Sequence, residues 1–155
     1  QGMKFRDGDE LLSMDVIWGD SDKDLFVVTN EGFAKRTAIS EYRLQGRNGF
    51  GAKALQLTEG RGSLVGALVV SEDDQVMAIM KSGKVIRSDV SEVKRTGRTT
   101  QGVTFAKPDK GDEILAIARN AEKDDDDEND QTDADQHDQH DQHADEAAAA
   151  QGAQQ

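Results

Sequence analysis

The sequence predicts an all-β fold made of propeller-like, four-stranded blades. Three observations carry this. Short signatures recur about every 50 residues. Five-residue apolar runs end in Gly turns. No segment sustains helical periodicity. Four short strands per repeat at this period describe propeller blades.

The repeats set the order of the elements. One signature reads Gln1-Gly2-Met3-Lys4-Phe5, Phe50-Gly51-Ala52-Lys53-Ala54 and Gln101-Gly102-Val103-Thr104-Phe105, with its glycines 49 and 51 residues apart. A second reads Gly8-Asp9-Glu10-Leu11, Gly62-Ser63-Leu64 and Gly111-Asp112-Glu113-Ile114. A third joins 25–32 to 76–83, and at the same offset Arg36 matches Arg87, Ser40-Glu41 matches Ser91-Glu92, and Gly46-Arg47 matches Gly97-Arg98. The runs 25–29 and 76–80 have the length of buried strands. Asn30-Glu31-Gly32 and Lys81-Ser82-Gly83 are turns in which Gly supplies positive φ. Return strands are expected at 33–37 and 84–88, then Gly-rich stretches at 45–51 and 96–102. Strands follow at 52–57 and 103–106, and a last apolar strand at 64–70 and 114–118. Pro108, the single proline, falls in an expected turn.

One blade buries only part of its faces, so blades must stack. The expected units are 1–20, the end of a preceding blade; 21–70, a complete blade; and 71–122, the last blade. A complete ring needs roughly 4–8 blades, so the chain is expected to be the C-terminal end of a longer protein. The alternative is a small self-contained β-barrel.

Composition separates this body from a tail. Of 155 residues 35% are hydrophobic, and the net charge is −12. Residues 1–120 hold 18 Lys+Arg and 18 Asp+Glu, whereas residues 121–155 hold 1 Lys and 13 Asp+Glu. All the net charge therefore belongs to the tail. Residues 123–155 are expected to be a disordered acidic low-complexity tail, with too little apolar surface to offset ordering entropy. The three histidines lie there in Asp-Gln-His repeats ending at His137, His140 and His143. Low-complexity expansion explains them better than a weak metal site does.

Several chemistries fall away. Without cysteine there are no disulfides, thiolate nucleophiles or Cys-based zinc sites, which fits the expected cytoplasmic location. No apolar run approaches the roughly 18–20 residues that span a bilayer, and no signal peptide is expected. No catalytic constellation or metal motif appears. Tyr42 and Trp18, each the only one of its type, suit packing or a rim.

Basic residues gather in equivalent stretches. Lys35, Arg36, Arg43, Arg47 and Lys53 fall within 33–53, and Lys81, Lys84, Arg87, Lys94, Arg95 and Arg98 within 81–98. Stacked repeats would align these as a positive stripe suited to a phosphate backbone; a solvated face is the alternative. The candidates for that stripe are Lys35, Arg36, Arg43, Arg47, Lys53, Lys84, Arg87, Lys94, Arg95 and Arg98. The loop Gln45-Gly46-Arg47-Asn48-Gly49-Phe50-Gly51 could hold a phosphate through backbone N–H groups and Arg47. It is not a P-loop, because Lys53 comes one residue late and no Ser or Thr follows it. Read alone, it is a turn.

Residues 1–122 resemble the C-terminal end of the DNA gyrase A subunit, a bacterial type IIA topoisomerase, in wording similar to actinobacterial versions. The resemblance rests on Gly32-Phe33-Ala34-Lys35-Arg36-Thr37, on 45–51, on 62–70 and on 114–122. It implies a β-pinwheel whose basic perimeter wraps double-stranded DNA. It also implies ATP-dependent negative supercoiling in an A2B2 holoenzyme, with the gyrase B subunit and the remainder of the A subunit. The family's box, Gln-[Arg/Gly]-Arg-Gly-Gly-Lys-Gly, is matched at Gln45, Gly46, Arg47, Gly49 and Gly51, while Asn48 and Phe50 replace Gly and Lys. The catalytic tyrosine and the ATP and magnesium sites would lie elsewhere in the holoenzyme, with no catalytic residue or cofactor in this segment. The alternatives are a propeller acting as a protein–protein scaffold and the equivalent domain of the topoisomerase IV A subunit.

Overall fold

A computed structural model describes residues 1–18 and 22–120. Its strands are β1 (Asp24–Thr29), β2 (Phe33–Ala38), β3 (Leu64–Val70), β4 (Gln75–Met80), β5 (Val85–Asp89), β6 (Val103–Thr104) and β7 (Ile114–Arg119). The helical content of the described residues is two single 3₁₀ turns, Ile39–Glu41 and Val90–Glu92. The mostly-β fold read from the repeats is the one observed.

The repeat is visible in the backbone. β1 and β2 form a hairpin in which Gly32 N–H donates to Thr29 O at 3.0 Å; β4 and β5 form its copy, with Gly83 N–H on Met80 O at 2.9 Å. Both glycines have left-handed φ, 85° and 87°, which a residue without Cβ adopts cheaply. The inner strands pair antiparallel with the last strand of each repeat, β1 with β3 and β4 with β7. Each pairing shifts register at the same place, between Val28 and Thr29 and between Ile79 and Met80. Three equivalent turns recur as well: Asp9 N–H to Arg6 O, Arg61 N–H to Thr58 O and Asp112 N–H to Asp109 O.

Strand bookkeeping differs from the contiguous four-stranded units expected for 21–70 and 71–122. The first sheet runs β3-β1-β2-β6, so its fourth strand comes from the following repeat. The second runs β5-β4-β7, with three strands among the described residues. The segment 52–57, expected as a strand, has no ladder partner among the described residues. The reason lies in the path after β2. The chain leaves through the 3₁₀ turn, and Asn48 N–H donates to Gly2 O at 2.8 Å. That contact carries the next segment toward the preceding repeat rather than back to β2, whose free edge Val103 and Thr104 occupy. Closing strands expected within 1–20 are also not formed among the described residues. Residues 13–15 instead touch β3 by side chains, with Ser13 Oγ on Ala67 O at 3.2 Å and Val69 N–H on the Asp15 carboxylate at 3.2 Å. The tail expected at 123–155 lies outside the described residues.

Both sheets supply one core. Phe26, Val28 and Ala34 of the first sheet join Val76, Ala78, Met80 and Ile114 of the second, with Val70, Val90 and Ala106. Phe105 closes it edge-on to Phe26 at 5.4 Å, a favoured aromatic geometry. The sheets meet where β3 crosses β7. A β-carbon on Gly66 would sit 2.2 Å from Ile117 Cγ1, so only glycine fits that approach.

Candidate nucleic-acid interface

Two of the candidate DNA-binding residues are structural. Lys35 and Arg36 are 1% and 4% exposed. They lie on β2, which has β1 on one side and β6 on the other, and the following repeat covers them. Lys35 Nζ donates to the carbonyls of Ala54 and Arg98. Burial lowers its pKa, partly opposed by Glu41. Arg36 Nε faces the buried Asp24 carboxylate at 3.4 Å, and its Nη2 donates to Glu72 at 3.2 Å. Arg95 from the next repeat completes the group, its Nε 3.0 Å from Asp24 Oδ1 and donating to Oδ2 at 3.2 Å. Asp24 holds the Arg95 guanidinium still further above its ordinary pKa. A parallel bridge between Arg36 and Arg95, with Thr96 N–H on Arg36 O at 2.8 Å, fixes the two repeats side by side. The charge of Lys35 and Arg36 is therefore spent inside the molecule.

The remaining candidates stay at the surface. Arg43, Arg47, Lys53, Lys84, Arg87, Lys94 and Arg95 are exposed, and Arg98 is half-buried. The structure brings several of them together. Because one Nζ binds the carbonyls of both Ala54 and Arg98, Lys53 and Arg98 belong to neighbouring backbone segments. Arg98 Cζ lies 5.9 Å from the Tyr42 ring, whose neighbour is Arg43. Burial raises the Tyr42 phenol pKa, opposed in part by the neighbouring Thr37 side chain. Glu41 caps the same loop by accepting Arg98 N–H at 3.3 Å. Lys84 precedes β5 and Arg87 lies on it, at the position in the second sheet that β2 holds in the first.

The loop 45–51 docks on the start of the chain. Lys4 N–H donates to Gly49 O at 2.8 Å, and Met3 bridges Gly49 in parallel. Asn48 adopts φ 63°, left-handed for a residue with a side chain, and Gly51 follows at 80°. One repeat later the segment 52–57 also meets the following loop, but three residues further along than Lys4 does, where Gln56 N–H donates to Thr100 O at 3.1 Å. Gln45, Gly46, Arg47, Gly49 and Gly51 thus form one ordered turn, with Arg47 exposed.

Sequence reasoning missed three cations here. Lys4 and Arg6 lie over the Phe50 ring, with Nζ at 5.9 Å and Cζ at 5.2 Å from its centroid. Arg61 stacks on Phe33 at 4.4 Å and donates to the carbonyls of Gln101 and Gly102 at 3.2 Å. A signal for Lys4 was available, since it aligns with Lys53 in the first repeated signature. Among the described residues no group of three or more acidic or His side chains could hold a metal ion.

The chain matches the family model described as DNA gyrase C-terminal domain, beta-propeller, over residues 1–17, 23–71 and 74–120. It is 53% identical over 122 residues to the DNA gyrase A subunit of Streptomyces coelicolor, covering 79% of this chain and 14% of that protein. It is 46% identical over 125 residues to the DNA gyrase A subunit of Mycolicibacterium smegmatis, covering 81% of this chain and 15% of that protein. The chain thus spans only a small part of these relatives. A solved C-terminal domain of DNA topoisomerase IV superposes with a TM-score of 0.70 at 18% identity, covering 76% of this chain and 36% of that one, a likeness of fold. A solved DNA gyrase A C-terminal domain gives a TM-score of 0.59 at 26% identity, covering 62% of this chain and 33% of that one. With the repeat, the mostly-β sheets and the matched residues in agreement, the chain belongs to the DNA gyrase C-terminal domain family of β-propellers.

Proposed function

We propose that the chain binds and wraps double-stranded DNA as the terminal part of a gyrase A subunit, guiding the duplex for ATP-dependent negative supercoiling. On this reading it works in the cytoplasm, with gyrase B and the remainder of the A subunit, in an A2B2 assembly that is a type II topoisomerase. The catalytic tyrosine, ATP and magnesium belong to other parts of that enzyme.

The observation that carries the reading is a set of exposed cations, Arg43, Arg47, Lys53, Lys84, Arg87 and Lys94, on repeats that are joined through their backbones, as by Lys4 N–H on Gly49 O. Arg47 and Arg98 hold the same position in successive repeats, and Lys35 Nζ ties the backbone next to Lys53 to that of Arg98. Exposed cations held on joined repeats neutralise phosphates and read no base edges. Binding should be indifferent to sequence and steeply dependent on salt, log K falling by about 0.9 per phosphate for each unit of log salt. Titration of duplexes of unrelated sequence across a salt series tests this. The variant Arg43→Gln/Lys53→Gln/Lys94→Gln should flatten the slope for every duplex alike. A protein scaffold would bind DNA weakly at all salts and respond to none of these changes.

A further inference from the structure

Phe50 follows Gly49 in the loop that carries Arg47, and its apolar ring stays 55% exposed. Two cations from the preceding repeat lie over it. Lys4 Nζ is 5.9 Å and Arg6 Cζ 5.2 Å from the ring centroid. The backbone fixes this meeting, because Lys4 N–H binds Gly49 O and Asn48 N–H binds Gly2 O, both at 2.8 Å. Arg6 is pinned again from the other side, where its own N–H donates to the Asp9 carboxylate at 2.8 Å. Two like charges on adjacent exposed side chains would ordinarily diverge. The negative face of an aromatic ring is the surface that attracts both.

We propose that Lys4, Arg6 and Phe50 form a composite phosphate-binding site, in which the ring holds two cations of one repeat beside Arg47 of the next so that together they clasp the backbone of duplex DNA. The site deepens the DNA-binding reading and rests on it. Phe50 is the positioning residue, and Lys4, Arg6 and Arg47 are the ligands. The loop lacks a cation at position 50 but gains two from across the junction. The site exists only where two repeats are docked, so it also reports that docking. Phosphates of duplex DNA suit it better than a small anion, because all three cations are exposed at the surface.

The test is duplex titration of the full chain across a salt series. Lys4→Gln/Arg6→Gln should reduce the magnitude of the log K against log salt slope by about 1.8, two contacts of about 0.9 each. Phe50→Leu keeps the bulk but loses the ring's negative face, and should weaken binding about two- to five-fold, the worth of an exposed cation–π contact. Phe50→Lys returns charge to the loop and should bind at least as well as the parent. An unchanged slope for Lys4→Gln/Arg6→Gln, or parental affinity for Phe50→Leu, overturns the site. If Arg43→Gln/Lys53→Gln/Lys94→Gln still flattens the slope in that case, DNA binding stands and the composite site alone fails. If the parent chain does not bind duplex DNA, both readings fall together.

Discussion

Lys35, in the middle of β2, donates a hydrogen bond from its buried ammonium to the backbone carbonyl of Arg98, 63 residues further along the chain. The same nitrogen donates to Ala54 O at 2.5 Å. One cation therefore ties a strand to two backbone segments on the candidate DNA-binding edge. The contact is structural first, since it decides how the second repeat sits on the first. It is also the route by which a residue that cannot reach DNA shapes the surface that can.

Lys35→Met keeps most of the apolar stem and removes the donor. Two carbonyls lose their partner, and each unsatisfied buried group costs about 1–3 kcal/mol. Water reaching the edge recovers part of this, so a loss of about 2–4 kcal/mol is expected in urea denaturation. Phosphate contacts should survive where the variant remains folded, leaving the salt slope of DNA binding nearly unchanged. A flattened slope with unchanged stability would return Lys35 to the direct DNA contacts.

Gly66 on β3 and Ile117 on β7 set how closely the two sheets approach. Gly66→Ala places its methyl 2.2 Å from Ile117 Cγ1, a distance no packed pair tolerates. Overpacking of this kind costs about 1–3 kcal/mol. Ile117→Val in the Gly66→Ala background keeps Cγ1, so it should recover little, whereas Ile117→Ala should recover most of the clash term. A double-mutant cycle by chemical denaturation measures the coupling. Additive losses would show that the sheets separate freely at this point.

Acid should loosen the turn between β6 and β7. The Ser82 hydroxyl, at 2.6 Å, is the main cause holding the Asp112 carboxyl below its usual pKa. Lys81, 3.1 Å from Glu113, does the same for that carboxyl, with Asn30 assisting. A carboxyl with a depressed folded-state pKa stabilises the fold above its unfolded value and loses that contribution as pH falls through the folded one. The window therefore lies at and below the ordinary carboxylate values of 3.8 and 4.5. Ser82→Ala should destabilise at neutral pH, and its difference from the parent should vanish in strong acid. A difference constant with pH would remove the titration from the account.

The fold was legible because its signals are local. Strand length, the Gly turns and the 51-residue offset each survive without knowledge of partners, and β1, β2, β4 and β7 fall within a residue of their expected ends. What escaped was pairing between repeats. Nothing in the residues 52–57 and 103–106 states that the second joins the sheet of the first repeat, because the choice is made by where the 45–51 loop docks. The same long-range event decided the site. Lys35 and Arg36 are buried because the backbone near Ala54 and Arg98 closes over the first and Asp24 and Glu72 close over the second. The repeat partner of Arg36, Arg87, lies on β5, which has a ladder on one side only among the described residues, and is exposed. Equivalent residues in the sequence thus take opposite roles, according to what the following repeat covers. Lys4 could be read from its alignment with Lys53, whereas Arg6 became a candidate only through the ring of Phe50, a contact between repeats that spacing does not encode.

The acidic end of the chain should compete with DNA for the basic edge. Residues 121–155 carry 1 Lys and 13 Asp+Glu, the whole of the net charge of −12. Covalent attachment gives such a segment a high effective concentration at any cationic surface of the same chain, with no need for a specific contact. DNA must then displace a polyanion rather than small counterions, which lowers apparent affinity where electrostatics are strongest. Deleting 123–155 should therefore tighten duplex binding at low salt and change little at high salt, where the Debye length falls to about 3 Å at 1 M. The three histidines add a pH dependence. Unperturbed His titrates near ~6.5, so mild acid brings the tail charge from −12 toward about −9 and should relax the competition slightly. His137→Gln/His140→Gln/His143→Gln should abolish that pH effect and leave the low-salt competition intact, which separates the tail's titration from any change in the basic edge itself. Equal low-salt affinity with and without residues 123–155 would leave the tail no part in DNA binding beyond keeping the chain soluble.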